Sequence, residues 1–213
     1  MEAYIFDFDG TLANSGSTGI LATQSAFKDF NLDAPTEDMI DYYTGIPIEE
    51  SFKKMTPGYT FKEEEFEALL VAFREHYKVY EQENLTLFPK IKEVLQELKS
   101  LGKKLYVVSS KHSTALKRNL EFLGIAQYFE GVIGSDQVEN YKPAPDGVLY
   151  ILEKYKLNPH KTIMIGDASF DLQMGKAAGV KTCAVTWGAH STEELSAQHP
   201  DVMVDHVEEL LNI

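Results

Sequence analysis

The 213-residue sequence predicts an α/β protein, a Rossmann-like parallel sheet flanked by helices, with a small all-helical domain inserted after the first strand. Three observations lead there. β-Favouring runs recur at 4–8, 104–109, 131–134, 162–166 and 181–186, with a weaker one at 202–204. Between them lie apolar stripes of helical spacing, such as Ile91, Val94, Leu95, Leu98 and Leu101, then Leu116, Leu120 and Leu123. The third observation is an interval, from about residue 17 to 87, that holds helical patterns and turns but no strand. Strands alternating with helices require a parallel sheet covered on both faces and joined by right-handed crossovers.

The helical interval is expected to be a unit of its own. Phe66, Leu69, Leu70, Phe73, Tyr77 and Tyr80 follow one helical face, while Thr44-Gly45-Ile46-Pro47 and Thr56-Pro57-Gly58-Tyr59 read as breaks between helices. The expected division is therefore a core made of 1–16 and 88–213, with a helical domain at 17–87. Inserted directly after the first strand, that bundle lies close to whatever the strand's end carries, either as a mobile lid or as a rigid accessory domain.

Composition narrows the functional classes. Hydrophobic residues make up 44% of the chain and charged ones 25%, ordinary for a globular domain. The formal net charge of −13 disfavours nucleic acid and anionic membrane as partners, since both need clustered positive charge. An anionic substrate must then be drawn in by a local cation. Cys183, the one cysteine, lies in an apolar strand-like run and reads as a packed thiol, and it allows no internal disulfide. The chain enters a strand at once, without a basic segment followed by a long apolar one, so a cytoplasmic protein is expected, monomeric or homodimeric.

The chemistry concentrates at strand ends, where open α/β sheets bind ligands. In Tyr4-Ile5-Phe6-Asp7-Phe8-Asp9-Gly10-Thr11-Leu12 an apolar run closes on two aspartates of equal side-chain parity, so both carboxylates can face one spot. Carboxylates that close repel unless a hard cation lies between them; an acidic, helix-capping turn is the alternative. Val107-Val108-Ser109-Ser110-Lys111 runs a strand into hydroxyls and a helix start, which serves either as a helix cap or as a phosphate cradle. Lys142 precedes Pro143 and Pro145, which stiffen the backbone and can fix an ammonium that would otherwise be a surface group. Last, Ile163-Met164-Ile165-Gly166-Asp167-Ala168-Ser169-Phe170-Asp171 ends a buried strand at Gly-Asp. A second aspartate follows one helical turn on, where it can face the same cation, cap the helix, or both.

Asp-Phe-Asp-Gly-Thr-Leu, Val-Ser-Ser-Lys, Tyr-Lys-Pro-Ala-Pro and Gly-Asp-Ala-Ser-Phe-Asp together resemble the four motifs of the haloacid-dehalogenase-like phosphohydrolases. The helical insert is similar to that family's C1 cap, and the resemblance covers essentially the whole chain. Gly-Lys-Ala-Ala-Gly-Val and Val-Thr-Trp-Gly, within 175–188, look closest to the phosphoglycolate-phosphatase and pyrophosphatase-like members. Asn14 departs from the aspartate many relatives carry there; it lies outside the chemical quartet and bears on cap hinge or substrate contacts.

The resemblance implies a Mg²⁺-dependent phosphatase acting on a small phosphate monoester, 2-phosphoglycolate being one candidate. Asp7 would be the nucleophile, forming an aspartyl-phosphate, and Asp9 the general acid/base. Asp7, the Asp9 carbonyl and Asp167 would hold Mg²⁺, supported by Asp171. Thr11, Ser109, Ser110 and Lys142 are the implied phosphate contacts, and Lys111 would add positive potential. In the cap, Tyr43, Gly45 and Ile46 are the expected substrate contacts, ahead of Lys53, Lys54, Arg74 and His76. A phosphomutase, a pyrophosphatase or nucleotidase, and a catalytically silent regulatory module are the competing functions. The silent module is expected to have lost a charged member of the quartet, and none is lost here. Dehalogenation needs no metal and would leave Asp9 and the Asp167/Asp171 pair without a purpose.

Overall fold

In the computed structural model, which describes residues 1–213, the chain begins with β1 (Ala3–Phe6), β2 (Ala13–Asn14), α1 (Gly16–Asp29), α2 (Glu37–Tyr42), α3 (Ile48–Met55) and α4 (Glu63–Asn84). It continues through β3 (Thr86–Leu87), α5 (Ile91–Ser100), β4 (Lys104–Val108), α6 (Ser113–Phe122), β5 (Gly131–Ile133) and α7 (Asp146–Lys154). The last elements are β6 (Thr162–Gly166), α8 (Ser169–Ala177), β7 (Lys181–Val185), α9 (Thr192–Ala197) and β8 (Val202–Val204).

Six strands pair in the order β5-β4-β1-β6-β7-β8, all parallel. Side-chain parity explains why the central strand reads as an unbroken apolar run. Tyr4, Phe6 and Phe8 enter one core with Ile91, Val94, Leu95 and Leu98 of α5 and Leu116 and Leu120 of α6. Ala3 and Ile5 enter the other with Val148, Ile151 and Leu152 of α7 and Met174 of α8. Both faces are covered, so neither parity can be polar. The chain moves outward from β1 to β4 and β5, then returns to β6 on the other side of β1. That reversal leaves a crevice at the carboxyl ends of β1, β4 and β6.

Helices α1 to α4 enclose a separate apolar cluster of Ala26, Phe27, Ile40, Phe52, Met55, Leu69 and Leu70. Phe52 sits edge-on to Phe27 at 5.1 Å and to Phe73 at 5.4 Å between ring centres, pairs worth about 1 kcal/mol each beyond their burial. α3 carries Glu49 and Glu50 in its first turn and Lys53 and Lys54 in its last, matching the helix dipole.

The structure corrects three details of the expected elements. The interval 17–87 does contain a strand: β3 pairs antiparallel with β2, joining the two connections between insert and sheet. Two residues a side is too short for an alternating pattern to register. β1 ends at Phe6, two residues before the expected boundary, because Leu12 and Ala13 both donate to the Phe8 carbonyl and turn the chain. β4, β5 and β7 likewise stop at Val108, Ile133 and Val185, each one residue short of the expected end. Cys183 is fully buried, and burial pushes its thiol up to about 12, which keeps it protonated and inert.

Candidate active site at the carboxyl edge of the sheet

Asp7 leaves β1 on the parity of Ala3 and Ile5, and its backbone N–H still bonds Ile165 across the ladder at 2.9 Å. The carboxylate is buried, and its Oδ1 accepts from the Lys142 ammonium at 2.5 Å. Lys142 also lies 2.6 Å from Asp171 Oδ1, so one ammonium bridges two carboxylates with its side chain 2% exposed. The stiff segment before α7 delivers this lysine inward, away from the surface position most lysines take.

Asp167 stands at the end of β6, also buried. Thr11 Oγ1 donates to its Oδ1 at 2.8 Å, and the Ala189 N–H donates to its Oδ2 at 2.8 Å. Gly10 makes the approach possible: its φ is +81°, and a Cβ there would collide with the Asp167 carboxylate. Of the roles left open by the sequence, Asp171 fills the helix cap. Its Oδ2 accepts from the Ala168 N–H at 3.1 Å, capping α8, while Oδ1 meets Lys142.

Carboxylate oxygens of Asp7, Asp167 and Asp171 come within 4.8 Å of one another, all buried. Burial, and after it their mutual repulsion, raises all three above the ordinary carboxylate range, with Lys142 pulling back. For Lys142 the same burial works downward, but the two carboxylates outweigh it and hold the ammonium charged. Once ionised, three carboxylates against one ammonium would leave surplus negative charge in a dry site. The donors are oxygens only, which fits a hard cation such as Mg²⁺.

The Asp9 carboxylate is not in that cluster, contrary to the parity reading that sent both aspartates to one spot. Period-two alternation ends with the strand, and the turn aims Asp9 at Lys111, whose Nζ lies 2.9 Å from its Oδ1. Asp9 could then offer an ion only its main-chain carbonyl. Ser109 Oγ accepts from the Lys111 N–H at 3.1 Å in the turn before α6, and that helix is capped by the His112 ring rather than by either serine. Ser110 donates instead to the Gly45 carbonyl of the insert at 2.9 Å, so its side chain is committed across the junction.

Of the expected cap contacts, Tyr43 and Ile46 line a cleft of about 450 Å³ between insert and core, with Ile48, Phe73, Asp9 and Lys111. Gly45 is pressed onto the residues after β6: a Cβ there would meet Phe170 at 3.1 Å and Ala168 at 3.2 Å. Arg74 lines the cleft but already pairs with Glu49 at 2.8 Å. Lys53 and His76 face outward, bonded to Glu50 and Asp29.

Sequence reasoning misses three groups. Tyr77 fits the apolar stripe of α4 by spacing, yet its hydroxyl accepts from Lys111 at 2.8 Å. Glu81, one turn further along α4, is buried and makes two 2.8 Å bonds to Arg118 and one of 2.7 Å to Asn119. An acidic residue on that stripe was the available signal. The segment after β7 is the third: Ala189 holds Asp167, and His190 stacks on Tyr42 of the insert at 4.9 Å.

The sequence profile described as haloacid dehalogenase-like hydrolase matches residues 4–185, which span all four strand-end segments. The chain belongs to this family. Among curated haloacid dehalogenase-like relatives, pyrophosphatase PpaX of Oceanobacillus iheyensis is 30% identical over 100% of this chain and 96% of its own. A phosphoglycolate phosphatase of Aquifex aeolicus is 32% identical, covering 100% and 96%. A crystal structure described as a predicted phosphoglycolate phosphatase of Haemophilus somnus superimposes with a TM-score of 0.93 at 26% identity, covering 100% and 97%.

Proposed function

We propose that the protein is a Mg²⁺-dependent phosphatase that hydrolyses a small organic phosphate monoester through an aspartyl-phosphate on Asp7. The observation that carries this reading is the buried Lys142 bridging Asp7 and Asp171, with Asp167 beside them. A carboxylate can reach an anionic phosphoryl group only where cations offset their repulsion. Asp7, Asp167 and the Asp9 carbonyl would hold Mg²⁺, with Asp171 supporting, and the ion would supply charge neutralisation at the phosphoryl oxygens.

The chain's own groups carry the rest. Asp7 Oδ forms the bond to phosphorus while the ester oxygen leaves with a proton from Asp9. Asp9 then takes a proton from the water that attacks the aspartyl-phosphate, restoring Asp7 and releasing phosphate. Lys142 orients Asp7 and offsets part of the burial that disfavours its charge, and Ser109 with the neighbouring amides receives phosphoryl oxygens. Residues 17–87 act as the cap over this site. Every group comes from one chain, so a monomer or a homodimer would serve, acting in the cytoplasm.

Relatives are named for phosphoglycolate and for pyrophosphate. The cleft favours the organic ester: Tyr43, Ile46, Ile48 and Phe73 give it apolar walls, and its Lys and Arg side chains (Arg74, Lys78, Lys111 and Arg118) are already paired with carboxylates, so a second phosphate would find little to hold it. A volume of about 450 Å³ suits whole small-molecule ligands, so leaving groups larger than glycolate fit too. The test is phosphate release from p-nitrophenyl phosphate, 2-phosphoglycolate, pyrophosphate and sugar phosphates, with and without Mg²⁺. Mg²⁺-dependent release from monoesters is expected. No turnover of any of them would favour a silent module, and transfer to a sugar in place of water would favour a mutase.

A further inference from the structure

Lys111 occupies an uncommon position for a surface-forming residue type. It follows the β4 serines, yet its ammonium is enclosed between Asp9 Oδ1 at 2.9 Å and the Tyr77 hydroxyl at 2.8 Å, with Lys111 and Asp9 side chains 12% and 11% exposed. The Tyr77 ring lies 4.3 Å from the same nitrogen and the Phe8 ring 5.5 Å, so the cation is also held against two aromatic faces. Asp9 and Lys111 belong to the sheet edge, whereas Tyr77 belongs to α4 of the insert. One turn along the same helix face, Glu81 is clamped by Arg118 and Asn119 of α6, which sets the height at which Tyr77 meets Lys111.

We infer that Lys111 and Tyr77 are positioning residues for Asp9: the insert's tyrosine, acting through the lysine, sets where the Asp9 carboxylate stands at the mouth of the cleft. Neither group touches the reacting atoms. The consequence is that seating of the insert and readiness of the acid/base are one event. With Tyr77 withdrawn, Lys111 loses a partner and Asp9 a fixed location, so leaving-group protonation waits for the insert to close. The inference rests on the acid/base role proposed for Asp9.

Leaving-group dependence separates positioning from mere structural support. A basic leaving group needs its proton in the transition state, whereas an activated one does not. Two aryl esters of nearly equal shape, p-nitrophenyl and p-methylphenyl phosphate, would be compared by kcat/KM at saturating Mg²⁺ in wild type, Lys111→Met, Lys111→Arg, Tyr77→Phe and Asp9→Asn. Lys111→Met and Tyr77→Phe are expected to lose about 10-fold or more on the methylphenyl ester and under about 3-fold on the nitrophenyl ester, part of the about 10²- to 10⁴-fold that acid/base catalysis contributes. Lys111→Arg is expected to recover part of the loss, since it keeps a cation beside Asp9. Asp9→Asn should discriminate between the two esters more strongly than any of them. Equal losses on both esters, or none, in Lys111→Met and Tyr77→Phe while Asp9→Asn discriminates would overturn the positioning role alone. An Asp9→Asn enzyme that treats the esters alike would overturn the acid/base role beneath it as well.

Discussion

The sheet and the helical insert are each held together by apolar burial, but the junction between them is polar. Tyr4, Ile5 and Phe6 are wholly buried among apolar neighbours on two faces, and Phe27, Phe52 and Leu69 do the same inside the insert. Across the junction the principal links are Ser110 to Gly45, Lys111 to Tyr77, Arg118 and Asn119 to Glu81, and His190 on Tyr42. Apolar burial is large and non-directional, whereas a hydrogen bond adds about 1 kcal/mol net but fixes a direction. Such a junction can open without exposing either core, and it sets geometry when closed. The residues proposed for chemistry sit on the sheet side, and those that aim them sit at the seam.

Variants can test each side of this contrast. Asp7→Asn should produce the largest change, a loss of at least about 10³-fold in turnover with the fold retained, measured by phosphate release and circular dichroism. Its melting temperature is expected to hold or rise, because one of three crowded carboxylates becomes neutral while Lys142 keeps Asp171. An active Asp7→Asn enzyme would remove the proposed nucleophile.

Metal and pH act on the same cluster. Burial lifts Asp7 and Asp167 to about 7, from an unfolded value near 4. A carboxyl raised on folding contributes stability that is complete below its unfolded pKa and is lost as pH climbs through the folded one. The metal-free protein should therefore lose this contribution between about pH 4 and pH 7. Saturating Mg²⁺, which needs deprotonated ligands, should restore about 2–3 kcal/mol at pH 8 and much less at pH 5.5. Equal thermal shifts at the two pH values would count against a carboxylate ion site.

At the seam, Glu81→Gln removes the charge from a buried, threefold-bonded carboxylate. A cost of about 2 kcal/mol is expected, appearing as faster proteolysis within 17–87 before the sheet unfolds. A single cooperative loss of both regions would mean that the junction is as integral as the cores. Ser110→Ala should do least: about 1 kcal/mol, a KM raised a few-fold, and a melting temperature within a few degrees of wild type. Collapse of kcat in that variant at unchanged KM would instead place the Ser110 hydroxyl in the chemistry.

Much of this was legible before any coordinates. The five strong β-favouring runs and the weaker sixth all appear in one sheet; the central strand, buried on both faces, is apolar throughout and announces itself, while the half-buried edge strands β5 and β8 are shorter. Breaks at Thr44–Pro47 and Thr56–Tyr59 also stand between helices, as Gly and Pro demand. Tyr77 and Glu81 were not legible in their roles. A hydroxyl at the tip of a mostly apolar side chain looks like core until its partner, 34 residues further along the chain, is in view. Asp9 was legible as chemistry but not in direction, since a turn erases the parity that a strand would have kept.

Sequence alone therefore determined which residues could do chemistry and where along each element they stood, because β-strand ends, breaks and buried periodicities are local properties. Tertiary structure alone decided who meets whom: that Lys142 joins Asp7 to Asp171, that Thr11 serves Asp167, and that Asp9 answers to Lys111 and, through it, to the insert. Those pairings depend on loop paths and crossover packing, where single hydrogen bonds between distant segments choose the geometry and no local pattern records the choice.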